Sequence, residues 1–216
     1  MALDIYEVGT YALKINKGNR MKKSALILID IQKDYFPGGK MELEGSSEAG
    51  EKARKVLDVF RERNWPLVHI QHWSVRPGAT FFIPETEGVE IHPVVQPLPG
   101  EPVVTKYFPN AFRETSLLES LKKEGIEHLV IAGMMTHMCV EATTRAAFDL
   151  GFPCTVVHDA CATRALSFGG TVVPAPQVQA AFLAALGSVY AKIIGAEEYI
   201  SGLNSPILHT SSGIDG

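Results

Sequence analysis

Short apolar runs that alternate with amphipathic stretches constrain this chain more than any other feature. From Ser24 onward, the runs at 25–31 (ALILIDI), 66–71 (PLVHIQ), 102–106 (PVVTK), 128–133 (HLVIAG), 153–158 (PCTVVH) and 190–194 (YAKII) are rich in β-branched and apolar residues. Strands of this kind suit a parallel sheet covered on both faces. Between them, 47–63 sets Ala49, Ala53, Val56, Leu57 and Phe60 on one helical stripe, with charges elsewhere. Segments 116–124, 177–187 and 196–201 also read as helices. The alternation predicts right-handed crossovers and a three-layer α/β/α fold with a mainly parallel, Rossmann-like sheet of six strands. In such sheets, functional groups gather at the carboxyl ends of the strands.

The pattern assigns one domain to 24–202, an N-terminal arm to 1–23 and a polar tail to 203–216. The stretch 73–100 is a long loop rich in proline and glycine that leaves the second strand at its carboxyl end. Loops of that length in compact domains are usually functional. Its segment 81–92 (FFIPETEGVEIH) reads either as a solvated flap or as a lid over a site. A net charge of −4 without any basic stripe argues against nucleic acid or an anionic membrane as partner. No apolar run approaches the ~18 residues that span a bilayer, and the first residues do not read as a secretory signal. The three cysteines, Cys139, Cys154 and Cys161, are too few for a disulfide framework, which points to a reducing cytoplasm.

The segment 126–151 carries the strongest chemical signal. It reads as a buried strand, a sharp turn, Cys139, and a helix whose stripe is Val140, Thr143, Thr144, Ala147 and Phe148. Thr136 or His137 stands near the N-cap, and Gly151 suits the residue after the helix. A cysteine in a first helical turn is expected to have its pKa lowered from about 8.5. A lone cysteine is otherwise a small, inert core residue. Asp30 ends the first strand, where an aspartate either caps a turn or needs a charged partner. Lys106 ends the third, where a lysine by itself is commonly a solvated edge residue. Together the three converge on one rim of the sheet. A carboxylate, an ammonium and a thiol there make an acyl-transfer kit. Asp30 takes the thiol proton, Lys106 steadies both anions, Cys139 attacks, and the backbone N–H groups of Met135 and Cys139 hold the oxyanion.

These words (LIDIQKDYF, TKYFPNAF and GMMTHMCVEATTRAAFDLG) resemble the isochorismatase-like cysteine hydrolases, a superfamily that includes nicotinamidases, N-carbamoylsarcosine amidases and streptothricin hydrolase. The resemblance runs from about Ser24 to Ile200. It implies an Asp–Lys–Cys triad of Asp30, Lys106 and Cys139, a thioester intermediate, a cis peptide at Met134–Met135, and a homo-oligomer, dimer or tetramer. Metal-binding nicotinamidases carry Asp-Trp-His after the second strand, whereas this chain has His72, Trp73 and Ser74. His69 and His72 leave opposite faces of that strand, and His92 is isolated. The expectation is therefore no catalytic metal and no cofactor, with nicotinamide demoted as substrate.

Pocket candidates follow from position. Phe36, Trp73 and Phe112 fit either a pocket wall or ordinary loop packing. Gln32 shares a face with Asp30 if the strand continues, and His72 either donates to a substrate carbonyl or is satisfied locally. His137 touches substrate or caps the helix. The leading expectation is a metal-independent cysteine hydrolase that cleaves a C–N bond of a small amide or carbamoyl compound. The alternatives are an isochorismatase- or nicotinamidase-type hydrolase and, in another class, a non-catalytic interaction protein that keeps the fold.

Overall fold

The computed structural model describes residues 23–204. The expected arm at 1–23 and tail at 203–216 fall almost wholly outside the described residues. In chain order the elements are β1 (Ser24–Ile29), α1 (Ser46–Glu62), β2 (Leu67–His72), β3 (Val103–Lys106), α2 (Leu117–Lys123), β4 (His128–Met134), α3 (Glu141–Asp149), β5 (Cys154–Ala162), β6 (Leu166–Phe168), β7 (Thr171–Val173), α4 (Ala175–Val189), β8 (Ala191–Ile194) and α5 (Ala196–Asn204). Six strands form one sheet in the order β3-β2-β1-β4-β5-β8, and every pairing in it is parallel. The order reverses between β1 and β4, the switch point at which ligands bind in open sheets of this kind.

Alternation along the strands divides the core in two. Leu26, Leu28, Val130 and Ala132 face α1 and α5, where they meet Ala53, Leu57, Phe60 and Ala196. Ala25, Ile27, Leu129 and Ile131 face the other way, onto Leu121 of α2, Ala147 of α3 and Leu186 of α4. The helices therefore cover both faces, which explains why the strands lack a polar side. Among the described residues, no helix is long and apolar enough to cross a membrane.

Two features differ from the expected elements. β5 continues past His158 to Ala162, because its register against β4 shifts between Ile131 and Gly133 and pairing then resumes at Gly133 with Cys161. Cys161 is thus a buried strand residue level with Gly133 at the carboxyl end of the sheet, its thiol donating to the Val157 carbonyl. β6 and β7 form an unexpected antiparallel hairpin that leaves Phe168 89% exposed. Three-residue strands in a chargeless stretch offer no periodicity to read.

Gly133 shows why the switch point needs a glycine. It adopts φ +134°, and a Cβ there would lie 2.0 Å from the Ile29 carbonyl oxygen. Gly133→Ala is expected to push β4 from β1 next to both Asp30 and Met135, with little soluble, active protein recovered. A variant with wild-type melting and activity would refute the tight-approach argument.

The long loop is packed, not a solvated flap. Phe82 and Val95 are fully buried and Val89 nearly so. The buried Asp34 carboxylate bolts it down, accepting from the Phe82 N–H at 2.6 Å and the Lys40 N–H at 3.1 Å. Gly88 lies against that carboxylate, with room for no side chain.

A second charged cluster ties the loop to α1. The Arg61 guanidinium donates to Glu101 through Nε at 2.7 Å and Nη2 at 2.8 Å, and the Leu98 N–H and His69 Nε2 also reach Glu101 Oε2, each at 2.9 Å. Burial pushes the Glu101 carboxyl up, but Arg61, the Leu98 N–H and His69 outweigh it and bring the pKa to about 2. The unfolded value is about 4.3. Because the folded value is depressed, this contribution is present above about pH 4.3 and is lost as pH falls toward about 2. Urea titrations should show Glu101→Gln less stable than wild type at pH 7, with the two converging near pH 2. A pH-independent gap between them would contradict this assignment.

Candidate active site

Four strand ends assemble the site. Asp30 follows Ile29 at the carboxyl end of β1, in the left-handed region at φ +50°. That conformation is uncommon outside glycine, although aspartate tolerates it better than most. His72 and Lys106 end β2 and β3 and are cross-strand partners. Beyond β4 the Met134–Met135 peptide is cis. The chain then makes one π-helical turn, Thr136–Val140, that carries Cys139 and leads into α3.

The side chains meet. Lys106 Nζ lies 2.7 Å from Asp30 Oδ2 and 3.2 Å from Cys139 Sγ. Asp30 and Lys106 are 0% exposed and Cys139 is 6% exposed. Asp30 Oδ1 is buried without a hydrogen-bond partner among the described residues, and a carboxylate oxygen of Asp30 lies within 4.8 Å of Cys139 Sγ. Lys106 Nζ also lies 2.8 Å from His72 Nδ1. Burial pulls the Lys106 ammonium down, but the Asp30 carboxylate outweighs it and holds the ammonium above its ordinary value, as does Cys139 once its sulfur is anionic.

Donor atoms of Asp30, His72 and Cys139 lie within 4.8 Å of one another, a set that by type would suit a divalent ion. The Lys106 ammonium is within 3.2 Å of all three and already occupies their midst. A metal bound there would have to displace it. His69 points to the opposite face, onto Glu101, as strand alternation requires.

One expectation about the nucleophile is overturned. The Cys139 pKa is raised, not lowered. Burial is the main cause, and the Asp30 charge adds to it, while Lys106 pulls the other way and does not compensate. Cys139 also precedes α3 and sits in the π turn, not in the first α-helical turn. The resting sulfur is a thiol that must hand its proton to a base. Neither Thr136 nor His137 caps the helix. The Thr136 hydroxyl donates to the Ala162 carbonyl, and His137 Nδ1 is 2.5 Å from Thr163 Oγ1.

The other site expectations divide. Met135 is buried next to the turn. Phe36 does not wall the site: its ring stacks on His92 at 3.6 Å and abuts Gly50 of α1. Gln32 is also withdrawn from substrate, because its amide is spent on the backbone of His72 and Val89. Phe112 stacks on Phe152 in the core behind α3. Trp73 packs against the α1-side core, with its buried indole N–H unpaired among the described residues. His137 is half-buried, edge-on to Phe182. His72 Nδ1 lies against Lys106 Nζ.

Tyr35 is the residue that strand alternation missed. A short 3-10 turn at Lys33–Tyr35 breaks the period after Asp30 and turns Tyr35, not Phe36, toward the triad. Its ring packs against Phe82 at 4.5 Å. Burial, then the nearby charges of Cys139 and Asp30, raise its phenol pKa. The Asp-Tyr word just past Asp30 was the available signal.

Comparison with known proteins agrees with this architecture. A family model described as the isochorismatase domain matches residues 24–197. The isochorismatase family protein YddQ of Bacillus subtilis is 48% identical over 177 residues, covering 82% of this chain and 98% of its own. A crystal structure from Oleispira antarctica superposes with a TM-score of 0.81 at 47% identity, covering 85% of this chain and 98% of that one. More distant relatives include a streptothricin hydrolase of Streptomyces noursei, 34% identical over 64% of this chain and 49% of its own length. The nicotinamidase of Escherichia coli is 26% identical over 65% of this chain and 84% of its own. The chain belongs to the isochorismatase family of hydrolases.

Proposed function

We propose that this hydrolase cleaves the C–N bond of a small amide or carbamoyl compound through a thioester on Cys139, without a metal. The observation that carries the reading is the buried contact of Asp30, Lys106 and Cys139, with Asp30 Oδ1 unpaired among the described residues. An unpaired buried carboxylate oxygen is costly, and a thiol proton is what it can accept. A family member of another activity, the nicotinamidase, is an amidase by name. Nicotinamide itself is disfavoured, because His72 and Ser74 replace the acid and histidine of the metal-binding word, and His72 is committed to Lys106.

In the proposed reaction, Sγ bonds to the carbonyl carbon as its proton passes to Asp30 Oδ1. The Met135 and Cys139 N–H groups stabilise the resulting oxyanion. Collapse breaks the C–N bond, and Asp30 returns the proton to the departing nitrogen. Water then attacks the thioester, giving a proton to Asp30; the C–S bond breaks, and Asp30 passes that proton to the departing sulfur to regenerate the thiol. Lys106 keeps its charge throughout and steadies whichever of Asp30 and Cys139 is anionic. The Tyr35 and Phe82 rings shield the site from bulk water.

A panel of small primary amides, ureides and N-carbamoyl compounds, read by ammonia release from the full chain, tests this. Release from at least one of them that disappears in Asp30→Asn is the expected result. Hydrolysis of the isochorismate vinyl ether, with no amide cleaved, would overturn it.

A further inference from the structure

We propose that His72 is a positioning residue for this chemistry: its Nδ1 takes the third hydrogen of the Lys106 ammonium and thereby aims the other two at Asp30 and Cys139. The inference rests on the reading of Cys139 as nucleophile, but its test reads sulfur reactivity and needs no turnover.

The geometry supports it directly. An ammonium carries three hydrogens and accepts nothing. Among the described residues Lys106 Nζ has three acceptors, Asp30 Oδ2 at 2.7 Å, His72 Nδ1 at 2.8 Å and Cys139 Sγ at 3.2 Å. The count closes, so the head group of a fully buried lysine is fixed in rotation. Without Nδ1, one N–H would be buried and unpaired, and the ammonium would turn toward Asp30, its strongest acceptor. The long contact to sulfur would suffer first.

His72 is itself held for this task. Burial, then the Lys106 charge, bring its pKa down to about 4, so the ring is neutral at pH 7 and Nδ1 keeps its lone pair. An ammonium only donates, so Nδ1 facing Lys106 Nζ must be the bare nitrogen, and the ring proton belongs on Nε2. Gln32, fully buried, grips the same residue by its backbone. Its Oε1 accepts from the His72 N–H at 2.7 Å, and its Nε2 donates to the His72 carbonyl at 2.9 Å and to Val89 at 2.7 Å. Gln32 is two residues past Asp30, so one short segment supplies both the carboxylate and the clamp on the third acceptor. Cross-strand pairing of His72 with Lys106 completes the register.

Carboxymethylation of Cys139 by iodoacetamide, followed by peptide mass mapping between pH 6 and 10, reads the sulfur directly. The reaction forms an S–C bond, expels iodide and releases the thiol proton. His72→Leu removes the acceptor. His72→Asn restores one near the Nδ1 position, whereas the longer amide of His72→Gln reaches past it. The expected result is at least a tenfold slower reaction at pH 7 in His72→Leu, with the rate profile moved to higher pH. His72→Asn should return to within about threefold of wild type, and His72→Gln should not. Wild-type rates in His72→Leu would overturn the proposal. Equal rates in His72→Asn and His72→Gln would also overturn it, and that comparison decides the matter if His72→Leu does not fold. Loss of amide turnover is a separate readout, so failure of the hydrolase reading and failure of this inference are distinguishable.

Discussion

Cys139→Ala is expected to fold as the wild type does and to lose turnover by at least about 10⁴-fold, since removing a covalent nucleophile leaves only binding and oxyanion stabilisation. The fold should tolerate the change. Cys139 lies in a core cluster whose other members, Val140, Ala147 and Ala111, stay in place. The deleted sulfur accepts one long hydrogen bond from Lys106, which keeps its contacts to Asp30 and His72. Ammonia release and thermal melting on the same sample check both halves. Retained turnover would remove the covalent pathway. A collapsed melting transition would show that the thiol has a structural role as well.

Lys106→Met should cost far more stability. Methionine approximates the lysine stem but not its charge. Asp30 is 0% exposed and has Lys106 as its ion-pair partner at 2.7 Å. Removing one member of a buried pair leaves an uncompensated charge and costs about 3–5 kcal/mol. Activity should vanish with it, because the negative charge that moves between Asp30 and the sulfur loses its neighbouring cation. The double variant Asp30→Asn/Lys106→Met separates the two effects. With both charges gone, much of the lost stability should return while activity stays absent. Urea denaturation of the two single variants and the double variant measures the coupling. If Lys106→Met melts like wild type, or if the losses simply add, the pair is not the buried, mutually dependent unit described above.

The sheet was legible because each strand obeys one rule. Apolar runs such as 25–31 and 128–133 could only be parallel strands covered on both faces, and α1 announced its inward stripe from Ala49 to Phe60. The strand ends then placed Asp30, Lys106 and Cys139 on one rim, and the structure brings them together. What periodicity could not supply lies just beyond those ends. The 3-10 turn after Gln32 brings Tyr35, for which the sequence offered no role, near the triad and turns Phe36 onto His92. The register shift in β4 carries β5 far enough to absorb Cys161. The thiol was expected to be acidified by a helix start, but closure of the site around it sets its proton affinity, and burial is a property of the whole fold. For Phe112 the second of its two readings holds: the segment after Lys106 folds back onto Thr143, and the ring packs on Phe152.

Acid-quenched intact mass and peptide mapping, taken while the wild-type chain turns over an amide found by ammonia release, tests the central chemistry most directly. The protein should carry the acyl half of the amide on Cys139, and Cys139→Ala should carry none. An acyl group mapped to another residue, or continuing hydrolysis in Cys139→Ala, would contradict the account.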